Sequence, residues 1–125
     1  MPNLVKRRID ELSCECYNDD PTRVRRVAKK MPQEDSFDRV IVLTKAIADP
    51  VRLRILYALA IESLCVCELS RLLDMSLPAI SHHLKVLTLS GLLKTRKEGK
   101  FACYYFRDER QLKTLLDLFS GFSVD

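Results

Sequence analysis

The hydrophobic pattern in the second half of the chain changes from a helical period to a period of two, and this change constrains the fold most. Residues 65–74 and 78–90 repeat apolar side chains every three or four positions, which is typical of amphipathic helices. Residues 92–97 and 100–106 then alternate as strands do, with the dipeptide Glu98-Gly99 as the turn between them. The pattern therefore predicts two short helices followed by a β-hairpin.

The junction between the two short helices carries the signals of a tight turn. Ser76 can cap the second helix, and Pro78 fits inside the first helical turn. The inward stripe of that helix is formed by Ile80, Leu84 and Leu87. This order of elements predicts a winged helix-turn-helix, in which the second helix enters the major groove of DNA.

Apolar periodicity predicts further helices on both sides of this motif. They fall at residues 1–13, 37–48, 51–61 and 108–119, with one more that begins at Pro21 after the N-cap Asp20 and ends at Pro32. The fold class is therefore mainly α with a β-hairpin.

The 125 residues are enough for one compact domain, and dimerisation would add stability to a domain of this size. We expect an N-terminal arm at 1–36, a DNA-binding and dimerisation domain at 37–119 and a C-terminal tail at 120–125.

Positive charge is concentrated in one block. Residues 76–107 hold six basic residues and one acidic residue, a net charge of +5, while the whole chain carries +4. A basic block on the second helix and the wing favours a polyanionic partner, here double-stranded DNA. The alternatives are a solvated face without a partner and a domain that binds other proteins.

Several classes of protein are excluded by what the chain lacks. Its apolar runs are broken well before the roughly 18 residues of a membrane span, and its first residues lack the apolar core of a signal peptide. We therefore expect a cytoplasmic protein with no membrane partner. An enzyme is not expected, since no Ser/His/Asp or Cys/His arrangement stands out and three glycines leave little room for a phosphate loop.

Four of the five cysteines form two Cys-x-Cys pairs, Cys14 with Cys16 and Cys65 with Cys67. In a reducing compartment such pairs are more often metal-binding or redox-active than disulfide-bonded, and thiolates select soft ions. Because residues i and i+2 do not share a helix face, Cys65 and Cys67 can hold one ion only where their helix begins. The helix dipole also favours thiolates there. The fifth cysteine, Cys103, is expected to be a buried core thiol.

Several linked motifs from about residue 38 to 117 resemble the ArsR/SmtB family of metal-sensing repressors. They are Ala46-Ile47-Ala48-Asp49-Pro50-Val51-Arg52-Leu53-Arg54-Ile55-Leu56, Leu64-Cys65-Val66-Cys67-Glu68-Leu69, Ser81-His82-His83-Leu84-Lys85-Val86-Leu87, Gly91-Leu92-Leu93 and Arg96-Lys97-Glu98-Gly99-Lys100. The segment Cys16-Tyr17 also resembles the arm of the cadmium- and lead-responsive, CadC-like branch. The resemblance implies a homodimer that binds an inverted-repeat operator and leaves it when an inducer binds.

The resemblance also implies the inducer site. In the cadmium branch, arm cysteines of the other subunit complete the site, so the expected thiolate ligands are Cys14, Cys16, Cys65 and Cys67, although Cys14 departs from the usual spacing. The expected inducer is a soft divalent ion, cadmium, lead or zinc, with no organic cofactor. Arsenite is less favoured, because arsenite sensors carry a third cysteine where this chain has Ser70. A redox or reactive-sulfur sensor of the same fold remains the alternative.

The resemblance and the charge together indicate the DNA-contacting residues. On the second helix they are Ala79, Ser81, His82, His83 and Lys85, and on the wing they are Arg96, Lys97 and Lys100. Alanine can contact a thymine methyl group, polar side chains can reach base edges, and cations meet phosphates or the minor groove. The alternatives are a metal role for the histidine pair and a solvated turn for the wing cations.

Overall fold

The computed structural model describes residues 19–122, which form six helices and three strands. In chain order these are α1 (Pro21–Lys30), α2 (Glu34–Ile47), α3 (Pro50–Ile61), β1 (Leu64–Cys65), α4 (Val66–Leu73), α5 (Leu77–Leu89), β2 (Leu93–Glu98), β3 (Phe101–Phe106) and α6 (Glu109–Phe122). The helix predicted at 1–13 lies outside the described residues. The chain divides into two compact units between Ile41 and Val42, within α2. None of the helices between residues 19 and 122 has the length and apolar character needed to cross a membrane.

Four of the helices begin at side chains that accept hydrogen bonds from the first-turn backbone, α6 among them, where Asp108 Oδ1 accepts from Arg110 N at 2.8 Å. Asp20 Oδ1 accepts from Thr22 N at 2.9 Å, and Ser76 Oγ accepts from Ala79 N at 3.3 Å. Both predicted helix starts are therefore confirmed. Asp49 caps α3 in the same way. These side chains satisfy backbone donors that have no partner within the helix.

The hydrophobic core lies in the second unit and gathers α3, α4, α5 and the hairpin. Its largest fully buried side chains are Ile55 and Leu56 of α3, Leu69 of α4, Ile80, Leu84 and Leu87 of α5, and Leu93 of β2. The predicted inward stripe of α5 is thus confirmed. Because this stripe is fully buried, the opposite face of the same helix is directed toward solvent.

The sheet is antiparallel with strand order β1-β3-β2. Its third strand, β1, was not predicted, and Cys65 belongs to it rather than to the helix expected at 65–74. A strand of two residues is too short to show a period. In the hairpin, β2 continues through Glu98, which pairs with Phe101, so the turn is Gly99-Lys100 and not Glu98-Gly99.

The predicted helix boundaries differ from the observed ones mainly at two places. Helix α2 begins at Glu34, three residues before the expected start at 37. Helix α6 continues to Phe122, beyond the expected end at 119. The residues next to each expected boundary carry no apolar signal: Glu34, Asp35 and Ser36 are polar, and Ser120 and Gly121 stand between Phe119 and Phe122.

The cap of α3 provides a test of stability. Asp49 Oδ2 accepts from Val51 N and Arg52 N, each at 2.9 Å, and the bond from Arg52 N is the largest cause that lowers the pKa of Asp49. We expect Asp49→Ala to lower the free energy of unfolding at neutral pH by about 1 kcal/mol, measured by urea denaturation at fixed protein concentration. Asp49→Asn keeps an oxygen acceptor and should lose less.

The same cap predicts a pH dependence. A carboxyl whose pKa is lowered by folding stabilises the folded state above its ordinary pKa of about 3.8. This contribution is lost as the pH falls through the lowered value. The stability difference between the wild type and Asp49→Ala should therefore shrink in acid, and a difference that is constant from neutral to strongly acidic pH would contradict the assignment.

Candidate DNA-binding surface and thiol site

Helices α4 and α5 form the helix-turn-helix predicted from the sequence. Helix α4 ends at Leu73, its C-cap Asp74 has a φ of +52° in the left-handed region, and Ser76 is the N-cap of α5. The turn is held by a hydrogen bond from Met75 N to Ser70 O at 3.1 Å. A single left-handed residue reverses the chain direction within a few positions, which is why the connection is short.

The solvent-facing side of α5 carries most of the side chains assigned to DNA. Ser81, His82 and Lys85 are exposed, and Ala79 is half-buried. They project from a helix whose other face is anchored in the core, so their positions follow from the packing. A hydroxyl, an imidazole and an ammonium group on one exposed face can contact base edges and phosphates.

His83 differs from its neighbour His82 in its surroundings. Its Nδ1 atom lies 3.4 Å from Arg52 Nη1 and 3.9 Å from Asp49 Oδ2, and its side chain is 17% exposed. Arg52 also donates from Nε to the carbonyl of Ala46 at 2.6 Å. The histidine therefore connects α5 to the start of α3, a contact that residue spacing along the sequence does not indicate.

The wing cations fall into two groups. Lys97 and Lys100 are exposed, and neither has an ion-pair partner among residues 19–122. Arg96 instead lies 2.6 Å from Glu98 through its Nη2 and 5.6 Å from the ring centre of Tyr105. Because a carboxylate already compensates the charge of Arg96, the two lysines are the freer cations of the wing.

Cys65 and Cys67 lie where the helix-turn-helix begins. Cys65 is the N-cap of α4, with extended backbone angles (φ −88°, ψ 168°), and Cys67 is in its first turn. Both are free and half-buried. The expectation that this pair sits at a helix start is confirmed, with extended backbone at Cys65 and helical backbone at Cys67. The other predicted thiolates, Cys14 and Cys16, lie outside the described residues.

Glu68 is a neighbour of the thiol pair that the sequence analysis did not single out. Its Oε1 accepts a hydrogen bond from Cys65 N at 3.0 Å. Hydrogen bonds from the backbone and the thiol of Cys65 hold the pKa of Glu68 below its ordinary value. Within residues 19–122, no group of three or more His, Cys, Asp or Glu side chains is arranged to hold a metal ion.

Cys103 is buried as expected, but it lies on the face of the sheet away from the core. It is the Cα partner of Cys65 across β1 and β3, and it is not part of the contiguous hydrophobic cluster that contains Phe106. Removal from water raises the pKa of the Cys103 thiol, and the Glu98 carboxylate, 3.6 Å from its sulfur, adds to the rise. The sequence does not indicate that Cys65 and Cys103 are neighbours, because their pairing depends on strand β1, which was not predicted.

Comparison with known proteins places the chain among regulators. Residues 49–95 match the family model described as bacterial regulatory protein, arsR family. The cadmium resistance transcriptional regulatory protein CadC homolog of Staphylococcus aureus is 35% identical over 105 residues, covering 83% of this chain and 85% of that protein.

Solved structures show the same fold. Reduced HlyU from Vibrio cholerae superimposes with a TM-score of 0.67 and 34% identity over 73% of this chain and 96% of its own. A second structure is the homodimeric winged helix-turn-helix DNA-binding domain of a possible ArsR-family regulator from Mycobacterium bovis. It superimposes with a TM-score of 0.68 and 27% identity over 70% of this chain and 82% of its own. From its sequence identity, its coverage and its fold, the chain belongs to the arsR family of bacterial regulatory proteins.

Proposed function

We propose that this chain, a transcriptional repressor of the arsR family, binds operator DNA as a homodimer and releases it when a soft metal ion binds to its cysteine thiolates. The observation that carries the proposal is the position of Cys65 and Cys67 at the start of α4. Helix α4 is the first helix of the motif whose second helix, α5, presents the DNA-facing side chains. The thiols and the DNA surface thus belong to one short structural unit.

The DNA surface consists of α5 and the wing. These elements fall in the block of residues 76–107 with net charge +5, and the exposed face of α5 adds Ser81 and His82 as groups for base edges. Phosphate contacts supply most of the affinity of such a surface, and contacts in the major groove supply the sequence preference. The enzyme alternative has no support from the matched family, which consists of regulators.

Exposed apolar side chains support assembly into a homodimer. On α2 they are Phe37, Val40, Ile41 and Val42, and on α6 they are Leu118 and Phe122. Apolar surface of this kind is typical of protein interfaces. Two copies related by a two-fold axis would present two α5 helices to an inverted repeat. The homodimeric neighbour from Mycobacterium bovis shows that the fold can assemble in this way.

The metal site requires ligands beyond those in the described part of the chain. Cys65 and Cys67 supply two sulfur atoms, whereas closed thiolate sites use four ligands as a rule. Cys14 and Cys16 of the arm are the remaining paired thiols, and we assign them as the other ligands. Cadmium, lead and zinc all accept this donor set, and the relative from Staphylococcus aureus is named for cadmium resistance.

Release of DNA requires that metal and operator favour different states of the dimer. A metal held by Cys65 and Cys67 would constrain the first turn of α4, and Leu69 of that helix is fully buried in the core shared with α5. A change in the first turn can therefore alter the angle or spacing of the two α5 helices. The coupling free energy between such sites is typically about 1–3 kcal/mol, and it acts equally in both directions.

The first prediction concerns release of DNA by cadmium. When Cd(II) is added stepwise to the reduced protein on its own promoter DNA, fluorescence anisotropy should report release near one ion per subunit. Cys65→Ser should remain bound throughout the titration because the site loses a ligand. Cys103→Ser removes a cysteine that we do not assign to the metal, so it should still release DNA.

Two outcomes would contradict the metal mechanism. Tight binding that ignores Cd(II) but responds to arsenite or to an oxidant would assign the thiols to another signal. A Cd(II) affinity that is equal with and without operator DNA would show that the two sites are not coupled.

The second prediction concerns the wing. Lys97→Ala should weaken binding to operator and unrelated DNA by a similar factor, because a phosphate contact carries no sequence information. It should also reduce the slope of log affinity against log salt by about 1. Lys113→Ala, an exposed lysine of α6, is the matched control and should leave the slope unchanged. An unchanged slope in Lys97→Ala would remove the wing from the interface.

The third prediction separates the two adjacent histidines. His82→Ala should lower the affinity for operator DNA without changing the free energy of unfolding, because its side chain is exposed. His83→Ala should lower the free energy of unfolding by about 1 kcal/mol, since it removes the polar contacts to Arg52 and Asp49. Anisotropy and urea denaturation measure the two effects, and the reverse result would contradict the assignment.

A further inference from the structure

A row of polar and thiol side chains crosses the outer face of the sheet. Cys103 of β3 is the Cα partner of Cys65 on one side and of Arg96 on the other. Side chains at directly opposite positions of antiparallel strands point to the same face, with Cβ atoms about 4.5–5.5 Å apart. The two cysteines are therefore neighbours in space although 37 positions separate them along the chain.

This face of the sheet is not the one that packs on the core. Tyr104 and Phe106, which alternate with Cys103 along β3, contact the hydrophobic cluster, and Leu64 before Cys65 does so as well. Because side chains alternate between faces along a strand, Cys65 and Cys103 project to the opposite side. A covalent change at these two sulfur atoms need not disturb the core.

The backbone spacing suits a disulfide. Opposite residues in an antiparallel pair have Cα atoms about 4.5–5.5 Å apart, within the range of about 4.4–6.8 Å found for disulfides. Their Cβ atoms start at the upper limit of about 4.5 Å for a disulfide, so the bond would draw the two strands slightly together. Both cysteines are free, Cys65 is half-buried, and Cys103 is 8% exposed. An oxidant from solvent would therefore reach Cys65 first, with Cys103 already beside it.

We propose that Cys65 and Cys103 form an oxidation site, in which a hydroperoxide converts the two thiols into a disulfide across β1 and β3. The Cys65 sulfur attacks the peroxide, an S–O bond forms, the O–O bond breaks and one water or alcohol leaves with the thiol proton. The Cys103 sulfur then attacks the Cys65 sulfur, the S–S bond forms, the S–O bond breaks and water leaves with the second proton. Two electrons pass from the thiols to the peroxide.

The other candidate partner of Cys65 is less well placed. Cys67 is two residues away along the chain, in the first turn of α4, where its backbone is already helical while that of Cys65 is extended. It also has no pairing across the sheet, whereas Cys103 is fixed opposite Cys65 by the register of β1 and β3. The geometry therefore favours Cys103 over Cys67.

The disulfide has a consequence for metal sensing, and this consequence rests on the proposed function. Cys65 cannot serve as a thiolate ligand while it is bonded to Cys103. The oxidised protein would keep its fold, since the two strands are already paired, and would lose its response to Cd(II). The pair would thus make metal sensing conditional on reducing surroundings.

Peptide mapping tests the oxidation site without reference to metal or DNA. The reduced full-length protein is treated with hydrogen peroxide, free thiols are alkylated, and trypsin then cuts the chain after lysine and arginine. Residues 55–71 form one peptide with Cys65 and Cys67, and residues 101–107 form another with Cys103. We expect a reducible link between these two peptides in protein that runs as a single chain on a non-reducing gel.

Variants identify the two sulfur atoms. The link should persist in Cys67→Ser and be lost in Cys65→Ser, in Cys103→Ser and in Cys103→Ala, each checked by its unfolding midpoint. A disulfide inside peptide 55–71, a link that joins two chains, or a link that survives in Cys65→Ser would overturn the proposal.

A second readout separates this proposal from the metal mechanism. Cd(II) bound to thiolates adds ultraviolet charge-transfer absorbance, which oxidised wild type should lose and oxidised Cys103→Ser should keep. If reduced wild type lacks this absorbance, the proposed metal site fails, while the peptide link still decides the oxidation site.

Discussion

Burial of one face of α5 is the constraint on which the rest of the structure depends. Ile80, Leu84 and Leu87 are fully enclosed by side chains of α3, α4 and the hairpin, so the helix cannot rotate without exposing them. Each such side chain contributes about 1.5–3 kcal/mol by leaving water. This packing holds the polar face of α5 in place. The wing is anchored to the same core because β2 begins with buried Leu93.

The elements with long periodic patterns could be predicted from the sequence, and those without them could not. The stripe of α5 and the alternation of β2 and β3 each extend over several residues, so their type was predictable, with errors at the turn and at helix ends. Strand β1 has two residues and carries no period. The approach of Cys103 to Cys65 depends on that strand, and no local pattern indicates it.

The candidate site was predictable to a similar degree. The exposed face of α5 and the start of α4 at Cys65 both follow from helical geometry, which sequence spacing reports directly. The contacts of His83 with Asp49 and Arg52 depend on how α3 and α5 cross. Crossing geometry is set by tertiary packing, so spacing along one helix cannot show which of two adjacent histidines turns inward.

The position of Cys65 as the N-cap of α4 links the stability of that helix to the ligand role proposed for this thiol. Serine, threonine, asparagine and aspartate are the side chains that stabilise a helix start, and four other helices between residues 19 and 122 begin at aspartate or serine. A cysteine at this position gives up part of that stabilisation and places a sulfur atom at the helix start instead. Selection of variants for heat resistance alone would therefore favour a hydroxyl or carboxyl group here, and under the proposed function the most stable form of the protein would be one that has lost a metal ligand.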